Sequence, residues 1–432
     1  MRVTPAAETD ACADPPPFER YVAYVHGFDP AGAEKYAAML GTGAARWARW
    51  RGIRLDVDGP RDVAPHVTRL VLTSRPGHGR PVQTTIEVLA WDDIVKRHWP
   101  NHPFAVRARV LAGFWRTIVS GTLVWLWRWN WPTLVSAALP GATTVLQLLG
   151  WLVVLAVAVA VPAGWIGPIA GPLALLTLGL LLWVVRRYEK ANHWSWAGRF
   201  IGYAWVAVPA DPLARALPSR REMFVDRIAV HLQDDDCVVI GHSGGAQHAA
   251  AIVADLAGKK GRRGRPPLLL TLGSLLVLVS RQRGACWLQD ALARLARLPD
   301  LRWIDVSSPP DPACVAMVDP VEATFGTDAM GPGFRGPKML NARFHANVPA
   351  NRYDRARRDR VHMHFLYLRP VPRTEREDDF DLYAMLLADG PAEAALGHRS
   401  GRPPFATRDR HPPSPGIRSR DGFAAPHEEA RA

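Results

Sequence analysis

The chain has 432 residues, 48% hydrophobic and 22% charged, with a mean hydropathy of −0.06. These values exclude a wholly disordered chain, a collagen and a coiled coil, and leave room for one large domain or two ordinary ones. The net charge of +13 suits nucleic acid or anionic membrane, but no basic run alternates with aromatics, so no nucleic-acid partner is expected.

Residues 1–17 carry acids and prolines where a signal peptide would carry a basic start and an apolar run, and read as a disordered leader. The stretch 18–104 reads as the first half of a domain. Within it, 21–25 (YVAYV) predicts a buried strand that ends at His26-Gly27. Helical spacing follows over 30–50. Residues 67–74 and 84–91 predict strands, with a turn-rich stretch between them.

An apolar insert occupies 105–200. From Trp129 to Val185 there is not one Asp, Glu, Lys or Arg. A membrane span needs about 20 residues, so two fit, over 142–161 and 165–185 with the turn at Pro162-Ala163-Gly164. Arg107, Arg109, Arg116 and Arg128 precede the block, and Arg186, Arg187 and Lys190 follow it. The positive-inside rule then puts both ends in the cytoplasm. Trp125, Trp127, Trp129 and Trp131 suit a belt at the bilayer edge. The charges of Arg116 and Arg128 make 110–131 an interfacial segment rather than a third span.

The second half of the domain spans 201–391. A helix is predicted over 211–233, with Asp211 as N-cap and Pro212 at its first position. Strands are predicted over 237–240, 268–272 and 301–306, and helices over 245–258 and 286–298. The alternation argues for an α/β fold, a mostly parallel sheet with helices on both faces. Residues 392–432, rich in Pro, Arg and Gly, read as a disordered tail.

The sharpest motif is Gly241-His242-Ser243-Gly244-Gly245, a G-x-S-x-G directly after an apolar strand and before a helix of small residues. A serine on so tight a strand-to-helix turn needs small neighbours, and the helix N-terminus supplies N–H groups near a reacting carbonyl. On these residues the chain resembles the α/β-hydrolase superfamily of serine hydrolases. Through YVHGFDP, WDDIVKRHWP and MHFLYL it is also similar to a bacterial group of membrane-anchored members.

The resemblance implies an α/β-hydrolase-like sheet interrupted by a two-helix transmembrane hairpin, with Ser243 as nucleophile. It implies that the Phe28 and Gly244 N–H groups stabilise the oxyanion. The family order is serine, acid, histidine. Asp311, in the loop beyond the 301–306 strand, is the expected acid, with Asp305 inside that strand as the alternate. His364 is the expected base, with His362 the alternate and His345 a third candidate; His242 belongs to the elbow. The family's histidine follows its last strand, whereas here an apolar FLYL follows His364.

Cys12, Cys237, Cys286 and Cys314 are far apart and form no CxxC pair, which fits a reducing compartment. Neither a metal nor another cofactor is expected: no acid-and-histidine cluster accompanies His362-x-His364, and phosphate- and dinucleotide-binding glycine motifs are missing. The expected protein is a serine hydrolase of the bacterial inner membrane with its catalytic domain in the cytoplasm. Its partners are membrane lipid and an ester or other acyl substrate. An acyltransferase on the same triad, and a non-catalytic binding module on the same fold, are the alternatives. The sequence leaves the oligomeric state open.

Overall fold

A computed structural model describes residues 16–75, 79–99, 102–160, 169–191, 198–199, 212–259, 265–331, 333–372, 379–396 and 413–414. Its centre is an eight-stranded sheet in the order β2-β3-β4-β1-β5-β6-β7-β8. The strands are β1 (Phe18–Val25), β2 (Arg54–Ala64), β3 (Val67–Arg75), β4 (Val82–Leu89), β5 (Asp236–His242), β6 (Leu268–Leu272), β7 (Trp303–Ser307) and β8 (Lys338–Asn341). β2, β3 and β4 pair antiparallel; every other pairing is parallel.

The central strands are apolar because both their faces are covered. In β1, Tyr21, Ala23 and Val25 join one core, while Val22 and Tyr24 join the other. Helix α1 (Gly32–Arg51) packs on the second face through Tyr36, Ala37 and Leu40. The helix after β5 packs on the first face through Ala246, Ala249, Ala250 and Val253. From β1 the chain crosses through α1 to β2 at one edge and returns through β3 and β4; from β5 it moves to β6 on the other side. Crossovers leaving in opposite directions put their helices on opposite faces and open a crevice at the strands' carboxyl ends, here between β1 and β5.

Two strands lie outside the predicted set. Both are at sheet edges. β2 (RLDVDGPRDVA) is mostly exposed and bulged, and β8 has four residues. The helix predicted over 211–233 is Pro212–Ala229, here α7; Asp211 lies outside the described residues. Of the predicted tail, 392–396 and 413–414 are described. Ala392–Ala395 is helical, Leu396 is buried, and the Ala392 N–H donates to Asp236 (2.7 Å). Ser414 N–H donates to the Thr324 carbonyl (2.8 Å). Residues 1–15, most of the predicted leader, lie outside the description.

The described residues of the insert are mostly helical. After α2 (Asp92–His98) come α3 (Pro103–Val119), α4 (Thr122–Trp129), α5 (Trp131–Ala160) and α6 (Ala170–Ala191). Two of these, α5 and the 171–190 stretch of α6, are long and apolar enough to cross a membrane; α3 and α4 meet at a 72° bend. α5 starts at Trp131, ahead of the span predicted from 142, and its first turns pack on the rest of the chain, Leu134 and Ala137 lying against the cluster of Val277, Val315 and Val318. The second helix starts at Ala170 rather than at 165, and the predicted turn at 162–164 lies outside the described residues. The expected tryptophan belt is split. Trp127 and Trp131 are exposed, but Trp125 and Trp129 are buried against Val277, Val315 and Val318.

Candidate active site

β5 ends at His242, α8 (Gly245–Gly258) begins two residues after Ser243, and Ser243 makes the turn at φ +54°. Such a left-handed conformation costs a residue with a Cβ about 1–2 kcal/mol. It persists where the surroundings fix it. Ser243 N–H donates to the Leu272 carbonyl (2.9 Å), and its carbonyl accepts from Ala246 N–H (3.1 Å). With its amide nitrogen turned toward them, Gln247 donates to the carbonyls of Ser243 (3.2 Å) and Gly244 (2.7 Å). The motif's glycines have a visible reason. A Cβ on Gly245 would collide with the Val25 and His26 carbonyl oxygens, and one on Gly241 would meet the Ala246 backbone.

Ser243 is 1% exposed, and its Oγ has no hydrogen-bond partner among the described residues. A buried hydroxyl without a partner is rare and asks for an explanation. Beside the elbow lies the end of β1, where an ideal Cβ on Gly27 would sit 3.2 Å from the Ser243 Cβ. His26 anchors this loop. Trp91 N–H donates to its Nε2 (3.3 Å), so Nδ1 keeps the proton and donates to the Gly27 carbonyl (2.8 Å). Burial holds the His26 pKa below its ordinary value. Phe28 is buried with its ring 5.4 Å from Trp99 and 6.0 Å from Trp91.

Of the predicted acids, Asp311 meets a histidine. His364 Nδ1 lies 2.9 Å from Asp311 Oδ2, and both side chains are buried. The Tyr367 hydroxyl donates to the same oxygen (3.0 Å), and Ala313 N–H donates to the other (2.9 Å). Burial alone would raise the Asp311 pKa. The His364 charge and these hydrogen bonds outweigh it and hold the carboxyl below its ordinary range. Asp305, the alternate, instead accepts from the hydroxyls of Thr271 (2.6 Å) and Ser274 (2.9 Å). Burial raises it to about 6.

His364 also touches the elbow. Its carbonyl lies 3.2 Å from His242 Nε2, and the two rings are 4.8 Å apart. Burial, then the neighbouring His364, push His242 down to about 3. His242 is therefore a neutral spacer that joins the serine turn to the histidine. The alternates are placed differently: His362 is half-buried, and His345 is exposed. The FLYL segment carries a 3₁₀ turn (Leu366–Leu368) and no strand, and β8, the last strand among the described residues, precedes His364.

Two residues of this cluster were outside the predicted set. Tyr367 is one; the other is Gly273, at φ +52°, where a Cβ would fall 3.1 Å from both Asp311 Oδ2 and His364 Cε1. Its one sequence signal is a glycine directly after an apolar strand. A histidine held by a buried carboxylate can accept a hydroxyl proton, and a helix N-terminus beside it favours negative charge.

No group of three potential metal ligands forms among the described residues. Cavities of about 520, 330 and 620 Å³ lie respectively at the amino end of β5, along α1, and near His66 and Asp92; Ser243 lines none of them. No family model, curated protein or solved structure matches the chain.

Proposed function

We propose that the chain is a membrane-anchored serine hydrolase of the α/β-hydrolase type, cleaving an ester of a lipid or other acyl compound. The observation that carries this reading is the buried Asp311–His364 pair, joined through His242 to a serine held at φ +54°. In the proposed reaction Ser243 Oγ attacks the ester carbonyl while His364 Nε2 takes its proton. Asp311 holds Nδ1–H and stabilises the imidazolium. The Phe28 and Gly244 N–H groups face the oxyanion, and one such donor typically supplies about 2.7–4 kcal/mol of transition-state stabilisation. His364 then protonates the leaving alcohol, and water releases the acyl group by the same steps in reverse.

The two apolar helices support an anchor in the bacterial inner membrane, and the arginine-rich flanks support cytoplasmic ends. The exposed apolar side chains of the bent pair, among them Phe104, Trp115, Val124 and Trp127, suit a position in the headgroup layer. The lipid part of the proposal rests on this proximity. A fluorophosphonate probe applied to membranes should label the wild type and leave Ser243→Ala unlabelled. Equal labelling of the two would reject Ser243 as the nucleophile.

A further inference from the structure

The loop that carries Asp311 does not stand alone. Beyond it run Cys314, Val315, Ala316, Met317 and Val318, all buried. Met317 lies at φ +59°, with its N–H donating to Ser307 Oγ (2.8 Å). A left-handed methionine in an apolar run holds its shape only under a close cover.

Met317 itself packs with Cys314, Ala316 and Met339, while the elbow between α4 and α5 covers the same run at Val315 and Val318. Trp125, Leu126 and Trp129 pack against Val315 and Val318. The buried Arg281 lies 4.7 Å from the Trp125 ring centre and donates to the Ala323 carbonyl, which fixes the elbow's far side. Thr133 Oγ1 donates to the Cys314 carbonyl (2.9 Å). Asn130 Nδ2 reaches the Ala316 carbonyl (3.5 Å), while its Oδ1 accepts from Thr133 N–H (3.2 Å). From Cys314 the contacts continue inward. Its Sγ lies 3.7 Å from the Tyr367 hydroxyl, which donates to the Asp311 oxygen that meets His364.

We infer that Thr133 and Asn130 are positioning residues for Asp311, and that the elbow of the apolar insert holds the acid loop in register with His364. The inference rests on the reading of Asp311 and His364 as the catalytic acid and base. α5 continues as one helix from Thr133 to Ala160, with Pro140 inside it. One helix therefore joins the acid loop to the apolar end of the insert.

The test uses the full-length protein in membranes and follows the rate of fluorophosphonate labelling. Thr133→Val keeps the side-chain shape and removes the donor; Thr133→Ser restores it. The maximal labelling rate should fall about threefold to tenfold in Thr133→Val, the factor one net hydrogen bond corresponds to. Probe affinity should stay unchanged, and Thr133→Ser should return to within about twofold of wild type. A merely structural role would instead lower the labelled fraction at the end point and leave the rate of the folded fraction alone. A wild-type rate in folded Thr133→Val overturns the inference. If Thr133→Val does not fold, Asn130→Asp carries the same comparison. It keeps the acceptor for Thr133 N–H and loses the donor to Ala316, and a wild-type rate there overturns the inference equally. Ser243→Ala, run alongside, separates the two levels. Labelling of that variant rejects the catalytic reading, whereas a wild-type rate in Thr133→Val beside an unlabelled Ser243→Ala rejects only the positioning role.

Discussion

Asp305 and Asp311 are both buried near the carboxyl end of β7, yet their pKa values move in opposite directions. The difference lies in their partners. Asp311 faces an imidazole, a phenol hydroxyl and a backbone N–H; Asp305 faces two aliphatic hydroxyls. Asp311→Asn should therefore lower the labelling rate by a factor on the order of 10³–10⁴, while Asp305→Asn should stay within about twofold of wild type. Equal losses in both would remove Asp311 from its role. Stability gives a second readout. The folded pKa of Asp305 lies above its unfolded value, so its contribution is fully present below about pH 4 and is lost as pH rises through about 6. An asparagine can still accept the Thr271 and Ser274 hydrogen bonds and has no charge to bury. Asp305→Asn should accordingly melt higher than wild type at pH 8, with the gap closing toward pH 4.

Between elements, α8 comes so close to the end of β1 that backbone oxygens at Val25 and His26 leave no room for a Cβ on Gly245. The Val25 oxygen ends a central strand and the His26 oxygen accepts from Trp91 Nε1 (2.9 Å), so neither can swing aside as a side chain can. Gly245→Ala should cost about 1–3 kcal/mol, as overpacking does, and should slow labelling as the serine turn moves off the β1 loop. Gly331→Ala, where a Cβ meets nothing within 4 Å, should leave thermal unfolding almost unchanged. The same geometry explains what could be read in the sequence. β1, β5, β6 and β7 are apolar on both faces and stood out as runs, and the serine turn stood out because close backbone approach demands its glycines. β2 and β8 did not, since edge strands are held by backbone pairing, which leaves little pattern in side chains. Asp311 was reachable through chain order. Tyr367 was not, because its partner lies 56 positions away and its apolar neighbours imitate a strand.

At the scale of the molecule, β1 precedes the apolar insert and β5 follows it, yet they are direct neighbours, with Val22 opposite Val238. If the insert crosses a membrane, both halves must lie on the same side. Single cysteines at the exposed positions Glu34 and Asp300, in a background lacking Cys12 and Cys286, should react with an impermeant maleimide from one and the same face. Opposite faces would exclude an even number of spans. The β1–β5 pairing also constrains how the protein is made. When β4 has left the ribosome, β1 has one finished edge and one open edge. The strand that closes the open edge begins at Asp236, so synthesis must first pass through the whole insert. At ordinary translation speed that delay is on the order of ten seconds. During it the open edge of β1, apolar from Tyr21 to Val25, is exposed to pairing with another nascent chain. A polysome making this protein therefore has reason to keep a chaperone on the first ninety-odd residues until β5 arrives.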